Sequence, residues 1–493
     1  MTQHYDVLSW RPFERIMLLA ICVLIVWVPL PLGSNRIWAL AILEFMVIGL
    51  AIAHLVYCIK HNALLFRYRW QKHLLIPSGL MLGYLCLQLL NWIPAIDTLD
   101  PYQTAQQLLK TFCYTLFILL LSQYCQHAQA LRWLFIAIII SGCLQAFYGT
   151  LLNLLQLEAS PVFGYHDGDR ARGSFVYQNH FANYLALCLS IAFGWLLSEL
   201  KTSKSDTDFR QKFIDLLSTL FSRKIILRLA IVIMVIGLIL SRSRMGNAGF
   251  FTALGVVSLL SMFIYRRPPT LFKPLVISIF ILDLLIVGSI FGVDKVKQRL
   301  EDTSFSSETR DEVVIDSIPI IQQHLLTGTG GGSFYTVFPQ YQPQFYSGFY
   351  DHAHNEYVQF VVEYGVVMTA ILGLWVLYAF WLACRTMYLR NNKLYKGIAF
   401  GCAMAIVHML IHCTVDFNLQ SPANTLLFLT ILLSLSGGAT NAFVSLLLLP
   451  IMIAAVSVNA KGLAYTAVLA IAAYSFLLIR MPEHTMHQMQ MTH

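Results

Sequence analysis

The sequence predicts an all-α, polytopic integral membrane protein, and three observations carry that expectation. Of 493 residues, 57% are hydrophobic. Only 12% are charged, against about 25% in an ordinary soluble domain. Apolar runs of about 20 residues recur along nearly the whole chain, the length a helix needs to cross a hydrocarbon core about 30 Å thick.

Spans are expected near 16–32, 37–59, 74–94, 108–124, 129–156, 178–200, 225–241, 245–265, 272–292, 358–384, 396–415, 422–440, 443–458 and 462–480. That makes about 14 transmembrane helices, or 12 if the short or crowded 108–124 and 443–458 merge or re-enter. They divide the chain into an N-terminal transmembrane bundle (1–292), an outer segment (293–357) and a C-terminal transmembrane bundle (358–493). The polar start MTQHYDVLSWRPFER reads as the flank of a signal anchor rather than a cleaved signal peptide.

Orientation follows from Lys and Arg. With the N-terminus inside, 22 of the 33 fall in cytoplasmic segments: Arg11, Arg15, the 60–73 loop, Arg132, 201–228, Arg266, Arg267, Lys273, 385–396 and Arg480. This inward bias predicts a cytoplasmic N-terminus. It also accounts for the formal net charge of +8 without a nucleic acid partner. Seven of the 22 lie in 201–228, a connector with the composition of an interfacial amphipathic helix. The ten cysteines, mostly within spans and without a CxxC pair, read as small core residues.

With this topology the polar chemistry gathers on the outer face. The loop LEASPVFGYHDGDRARGSFVY (157–177), the turn SRSR (241–244), the 293–357 segment and HMLIHCTVDFNLQSPAN (408–424) all emerge there. Within 293–357, Val314, Ile318, Ile321 and Leu325 recur at helical spacing. Thr309 and Glu312 fit a capping box, and Pro319 predicts a kink. TGTGGGSF (327–334) reads as a tight turn, with a backbone pyrophosphate cradle as the sharper alternative.

DHAHNEYVQF (351–360) places His352, His354, Asn355 and Glu356 at the lip of a span. A helix beginning near 351–354 sets Glu356, Gln359 and Glu363 on one polar stripe, and polar residues at membrane depth face a cavity or pathway. A neutral histidine in the first turn keeps a lone pair for general-base work. Arg170, Arg172, Arg242, Arg244 and Arg310 run against the inward bias. Together they predict an anionic ligand, since guanidinium binds phosphate bidentately. His408, His412 and Asp416 share a helix face, read as buried helix–helix hydrogen bonds before a metal site. Glu44 and Asp283, within spans, are what a transporter would use.

HNEYVQFVVEYGVVM (354–368) resembles the signature of the O-antigen ligase superfamily: His, then Asn, Ser or Gln, nine residues, and Gly-x-x-Gly. His354, Asn355 and Gly365 match, and Met368 replaces the last glycine. RARGSFVYQNHFANYLAL (170–187), ETRDEVVIDSIPIIQQHLLTGTGGGSF (308–334) and HCTVDFNLQSPAN (412–424) resemble further segments of that superfamily. The resemblance implies a GT-C-like, metal-independent, inverting glycosyltransferase of the bacterial inner membrane, without a cofactor and with a periplasmic site. Its implied partners are an undecaprenyl-pyrophosphate-linked glycan, a lipid A–core or growing-glycan acceptor, and membrane lipids. Carried over by position, it implies that His354 activates the acceptor hydroxyl and that Arg172 and Arg310 bind the pyrophosphate. Asn355, Glu356, His352, Arg242, Arg244 and Asp416 stand as candidate supporting residues. The short stretch RMPEHTMHQMQMTH after the last expected span suggests no appended periplasmic or repeat domain. The near-complete His-Asn-x9-Gly pattern favours a ligase over a repeat-unit polymerase or a protein O-oligosaccharyltransferase. A lipid-linked glycan transporter is the alternative from a different class.

Overall fold

The computed structural model describes residues 12–65, 71–93, 96–125, 127–157, 159–162, 164, 170–199, 223–265, 310–342 and 350–435. Its helices are α1 (Pro12–Trp27), α2 (Ile37–Lys60), α3 (Gln71–Leu90), α4 (Pro101–Tyr124), α5 (Ala128–Leu155), α6 (Gln178–Ser198), α7 (Arg223–Leu240) and α8 (Arg244–Ile264). There follow α9 (Arg310–Asp316), α10 (Ile318–Gln323), α11 (Phe334–Val337), α12 (Glu356–Leu389), α13 (Lys393–His412) and α14 (Pro422–Ser434). Among the described residues no strand forms, and seven helices are long and apolar enough to cross a membrane. The chain is an all-α, polytopic membrane protein. The expected spans 272–292, 443–458 and 462–480 lie outside the described residues.

Local chemistry accounts for the helix starts. Asp100 caps α4 by accepting from the Gln103 N–H (3.0 Å), with Pro101 in the first helical position. Ser243 does the same for α8 through the Gly246 N–H (3.2 Å). The core centres on α6, which is buried on nearly every side. It crosses α13 at backbone contact: a Cβ on Gly194 would strike the Gly397 carbonyl, and one on Gly401 would lie 2.6 Å from the Ser190 carbonyl oxygen. Small residues allow such close crossings where lipid gives helices no hydrophobic reason to associate. All ten cysteines are free thiols and six are buried, five of them, Cys113, Cys125, Cys188, Cys402 and Cys413, in the main hydrophobic core.

The bundle has two distinct ends. At one, Phe13 stacks on Tyr57 (4.0 Å) and His54 Nδ1 shares a hydrogen bond with the Tyr124 hydroxyl (2.6 Å), tying α1, α2 and α4. At the other, the loop after α5 is pinned between helices. Ser174 donates to Pro29 O (2.6 Å) and its N–H to Gln145 Oε1 (3.0 Å), while the Ala171 N–H donates to Leu240 O (3.0 Å).

The segment before α12 departs from its expected helix. Pro319 and Ser317 divide it into two short helices, α9 and α10. The buried apolar positions are Val313 and Ile320, whereas Ile318 and Leu325 are exposed. The buried face, Val313, Ser317 and Ile320, keeps helical spacing but lies one residue from the 314/318/321/325 stripe, because packing against Phe334, Phe338 and Val362 selects it. Val313 and Ile320 pack with Phe334, Val337, Phe338, Ala353 and Val362 in a small core that seats the segment on the start of α12. Thr309, the expected cap, lies outside the described residues.

Candidate active site

α12 begins at Glu356, after the 351–354 stretch where its sequence suggests a start. Asn355 is its N-cap, its side-chain oxygen accepting from the Tyr357 (3.1 Å) and Val358 (3.2 Å) N–H groups. His354 is therefore not in the first helical turn. It precedes the cap with φ of 49°, in the left-handed region that is uncommon for residues with a Cβ, although His, Asn and Asp enter it more often than the rest. Non-glycine residues held there persist where the surroundings over-determine them, and such residues cluster at functional sites.

From Glu356 inward, the polar stripe is real and buried: Glu356, Gln359 and Glu363 are each at most 2% exposed. Every carboxylate oxygen is engaged. Glu356 accepts from the Leu419 N–H (2.9 Å) and from Gln420 Nε2 (2.8 Å), joining α12 to the link between α13 and α14. Glu363 accepts from Gln359 Nε2 (3.0 Å) and from the Gly332 N–H (3.0 Å). Gln359 also donates to His352 Nδ1 (3.1 Å) and accepts from the Ala353 N–H (3.3 Å), so the loop carrying His352 and His354 hangs on the stripe. Burial holds the His352 imidazole down at about 4, against the opposing pull of Asp351. Lys110 of α4 lies within electrostatic range of Glu363, Glu356 and Glu44. Glu44 thus has a basic partner inside the bundle; Asp283 lies outside the described residues.

The glycine-rich turn packs on a break in α12. Gly365 interrupts the helix with φ of 73° and ψ of 169°. The turn supplies what the broken helix lacks. Thr329 and Gly330 donate to the carbonyls of Val362 (2.8 Å) and Glu363 (3.1 Å), and Val366 donates to Leu325 O (2.8 Å). Gly331 donates to Gln88 Oε1 (3.2 Å). Non-helical backbone inside a membrane protein is tolerated where protein satisfies it in this way. The N–H groups of Thr329, Gly330, Gly331 and Gly332 are committed to protein acceptors, so the tight-turn reading holds and the pyrophosphate cradle does not.

Around His354 stands a group of rings. Phe417 lies 4.9 Å away at 82°, Tyr350 5.8 Å away at 84°, and Tyr177 6.5 Å away at 77°. His352 stacks on Phe417 (4.3 Å), and His180 meets Phe417 edge-on (4.8 Å). Asp416, fully buried, accepts from Asn179 Nδ2 (2.6 Å) and from the Phe417 N–H (3.0 Å), while His412 Nε2 stands 3.9 Å away. His408 shares a hydrogen bond with Asn183 of α6 (3.0 Å), a helix–helix bond of the kind its position suggests.

The structure thus brings His352, His354, Asn355, Glu356 and Asp416 into one neighbourhood. The half-buried Arg172 lies on the pinned loop that ends at Tyr177. The Ala171–Leu240 hydrogen bond ties that loop to the turn bearing Arg242 and Arg244, both exposed. Arg310 opens α9. Sequence reasoning passed over Tyr177, Asn179, His180, Lys110 and Phe417. The 412–424 stretch was the signal for Phe417, but an apolar ring carries no titratable or ligating chemistry to single it out.

Residues 229–373 match the sequence model of a family described as O-antigen ligase. The match runs from α7 through Gly373 and so includes Arg242, Arg244, Arg310, His352, His354, Asn355 and Glu356, but not Arg172 or Asp416. No curated protein matches the chain.

Proposed function

We propose, from the match of residues 229–373 to the family described as O-antigen ligase, that this chain is a metal-independent, inverting glycosyltransferase of the bacterial inner membrane. Its N-terminus is cytoplasmic, and it acts at the periplasmic end of the bundle. It takes a glycan from undecaprenyl pyrophosphate and transfers it to an acceptor hydroxyl, with lipid A–core as the acceptor.

His354 removes the proton from the acceptor hydroxyl as that oxygen attacks the anomeric carbon. The bond from this carbon to the phosphate oxygen breaks, and undecaprenyl pyrophosphate leaves from the opposite face, which inverts the centre. A base near neutral pH suits an imidazole. Arg172 and Arg310 neutralise the charge growing on the departing pyrophosphate, a task for fixed donors in a partly dehydrated site. Arg242 and Arg244 extend the same positive surface toward incoming donor. The observation that carries the reading is the coincidence of the family match with a histidine in left-handed backbone, walled by aromatic rings and set on a buried carboxylate stripe.

The test is reconstituted transfer with purified protein, a lipid-pyrophosphate-linked glycan, and rough lipopolysaccharide as acceptor. A glycan block joined to lipid A–core, lost in His354→Ala, is the expected result. A ladder built on the donor lipid, with lipopolysaccharide untouched, would make the enzyme a repeat-unit polymerase. Transfer undiminished in His354→Ala would remove the base assignment.

A further inference from the structure

A histidine side chain cannot set its own ring plane. Rotation about the bond from Cβ to the ring is broad and roughly two-fold, so a base must be aimed by what it touches. His354 also stands outside the helix, on a backbone that no helical hydrogen bonds hold. The three rings around it all meet it within 13° of perpendicular, the edge-to-face arrangement that aromatic quadrupoles favour. They differ in how firmly they are held themselves.

Of the three, Phe417 is nearest to His354 and the only one in the buried core, at 8% exposure. Two rings lie parallel to it, His352 at 4.3 Å and 25°, and Tyr177 at 5.8 Å and 7°. His180 contacts it at 88°. Its backbone is fixed as well. The Phe417 N–H donates to Asp416 Oδ1 (3.0 Å), and Asp416 Oδ2 accepts from Asn179 (2.6 Å), which also donates to the Tyr177 hydroxyl (2.7 Å). Two and three residues further on, the Leu419 N–H and the Gln420 side chain bind Glu356, two residues after His354. The contacts close a circuit from His354 through Glu356 and the 416–420 link to Phe417, and back to His354.

We infer that Phe417 is the positioning residue for His354: through its ring contacts it sets the imidazole plane in which His354 takes the acceptor proton. Asp416 and Asn179 hold Phe417 and Tyr177 in register for that purpose. Phe417 touches no reacting atom. Its effect is on the fraction of enzyme in which the base is aimed. This rests on His354 being the base, as proposed above.

The experiment compares Phe417→Leu, Phe417→Tyr, Tyr177→Leu and His354→Ala in the reconstituted assay, with thermal unfolding of each purified protein. Phe417→Leu keeps apolar bulk and removes the ring. We expect its kcat to fall by about a hundredfold, the scale of misplacing a reacting group by about 1 Å. Donor and acceptor KM should stay near wild type, and the pH at half-maximal kcat should move. Phe417→Tyr should recover most of the rate, and Tyr177→Leu should show a smaller loss of the same kind. Should Phe417→Leu fail to fold, the Tyr177→Leu result decides, with an unchanged kcat and pH profile counting against the inference. Wild-type kcat in Phe417→Leu, or a folded Phe417→Tyr as slow as Phe417→Leu, overturns it. If His354→Ala is inactive while Phe417→Leu is unaffected, only the positioning role fails. If His354→Ala still transfers glycan, the base assignment itself has failed.

Discussion

Gly365 and Gly328 interlock: a side chain on Gly365 would enter the Leu326 carbonyl, and one on Gly328 would enter the Glu363 carbonyl. Each is at positive φ, 73° and 69° respectively. The helix break and the turn that repairs it are thus built from the same close approach, which no residue with a Cβ can reproduce.

Gly365→Ala and Gly328→Ala should therefore each lose at least about 1–3 kcal/mol of stability, the usual cost of a strained non-glycine conformation, before the steric clash is counted. Gly373, later in α12, has open space around it. Gly373→Ala should be neutral or stabilising by up to about 1 kcal/mol, the propensity difference in a helix interior. Thermal unfolding in lipid nanodiscs checks all three, and equal tolerance of all three changes would contradict the account of the break.

On the proposed role, Arg172→Ala and Arg310→Ala should weaken donor use by about 1.5–3 kcal/mol each, the scale of a hydrogen bond to a charged group. The loss should appear mainly in donor kcat/KM rather than in acceptor KM. Arg→Lys at either position should restore only part, because an ammonium cannot make the forked bond to phosphate. Full activity in both lysine variants would reduce these residues to point charges.

Glu356→Gln is close to isosteric yet should be costly. Its amide can satisfy the Leu419 N–H or the Gln420 side chain through its single oxygen, but its NH2 then faces a donor. One buried group left unsatisfied costs about 1–3 kcal/mol. Because Glu356 anchors the link that carries Phe417, kcat should fall along with the unfolding temperature. A Glu356→Gln variant with wild-type stability would show that one of the two bonds is dispensable.

His352 sets a direction for pH dependence. Burial lowers its pKa to about 4 in the folded protein, below the ordinary value of about 6.5. Between these values the unfolded chain binds the extra proton, so stability rises with pH across this window. The contribution is fully present above about pH 6.5 and is lost as pH falls toward 4. Unfolding temperatures measured from pH 7 to 4 should fall less steeply in His352→Phe than in wild type. An identical slope would mean that His352 is solvated and titrates normally.

Much of the architecture was legible because membrane helices announce themselves locally. Span lengths, the helical spacing of Glu356, Gln359 and Glu363, and the turn character of 327–334 all follow from hydropathy, the 3.6-residue period and glycine chemistry. Gly397-x-x-x-Gly401 was also a readable signal for the α6–α13 crossing, although sequence reasoning did not use it. The phase of the 310–325 segment was not legible. Packing on Phe334, Phe338 and Val362 buries Val313, Ser317 and Ile320 rather than the stripe one residue further on, and periodicity cannot tell which of two adjacent stripes meets the core.

What the sequence by itself determined was the class of protein and the residues able to do acid–base and phosphate chemistry, since those depend on composition and side-chain type. What only the tertiary structure decided was how they are held. His354 lies outside its helix, the glycine turn serves a helix break rather than a ligand, and Phe417, some 60 residues further along the chain, lies against His354. The physical reason is that aiming a side chain depends on contacts between segments distant in sequence. Such contacts leave no period, charge or motif in the residues that make them.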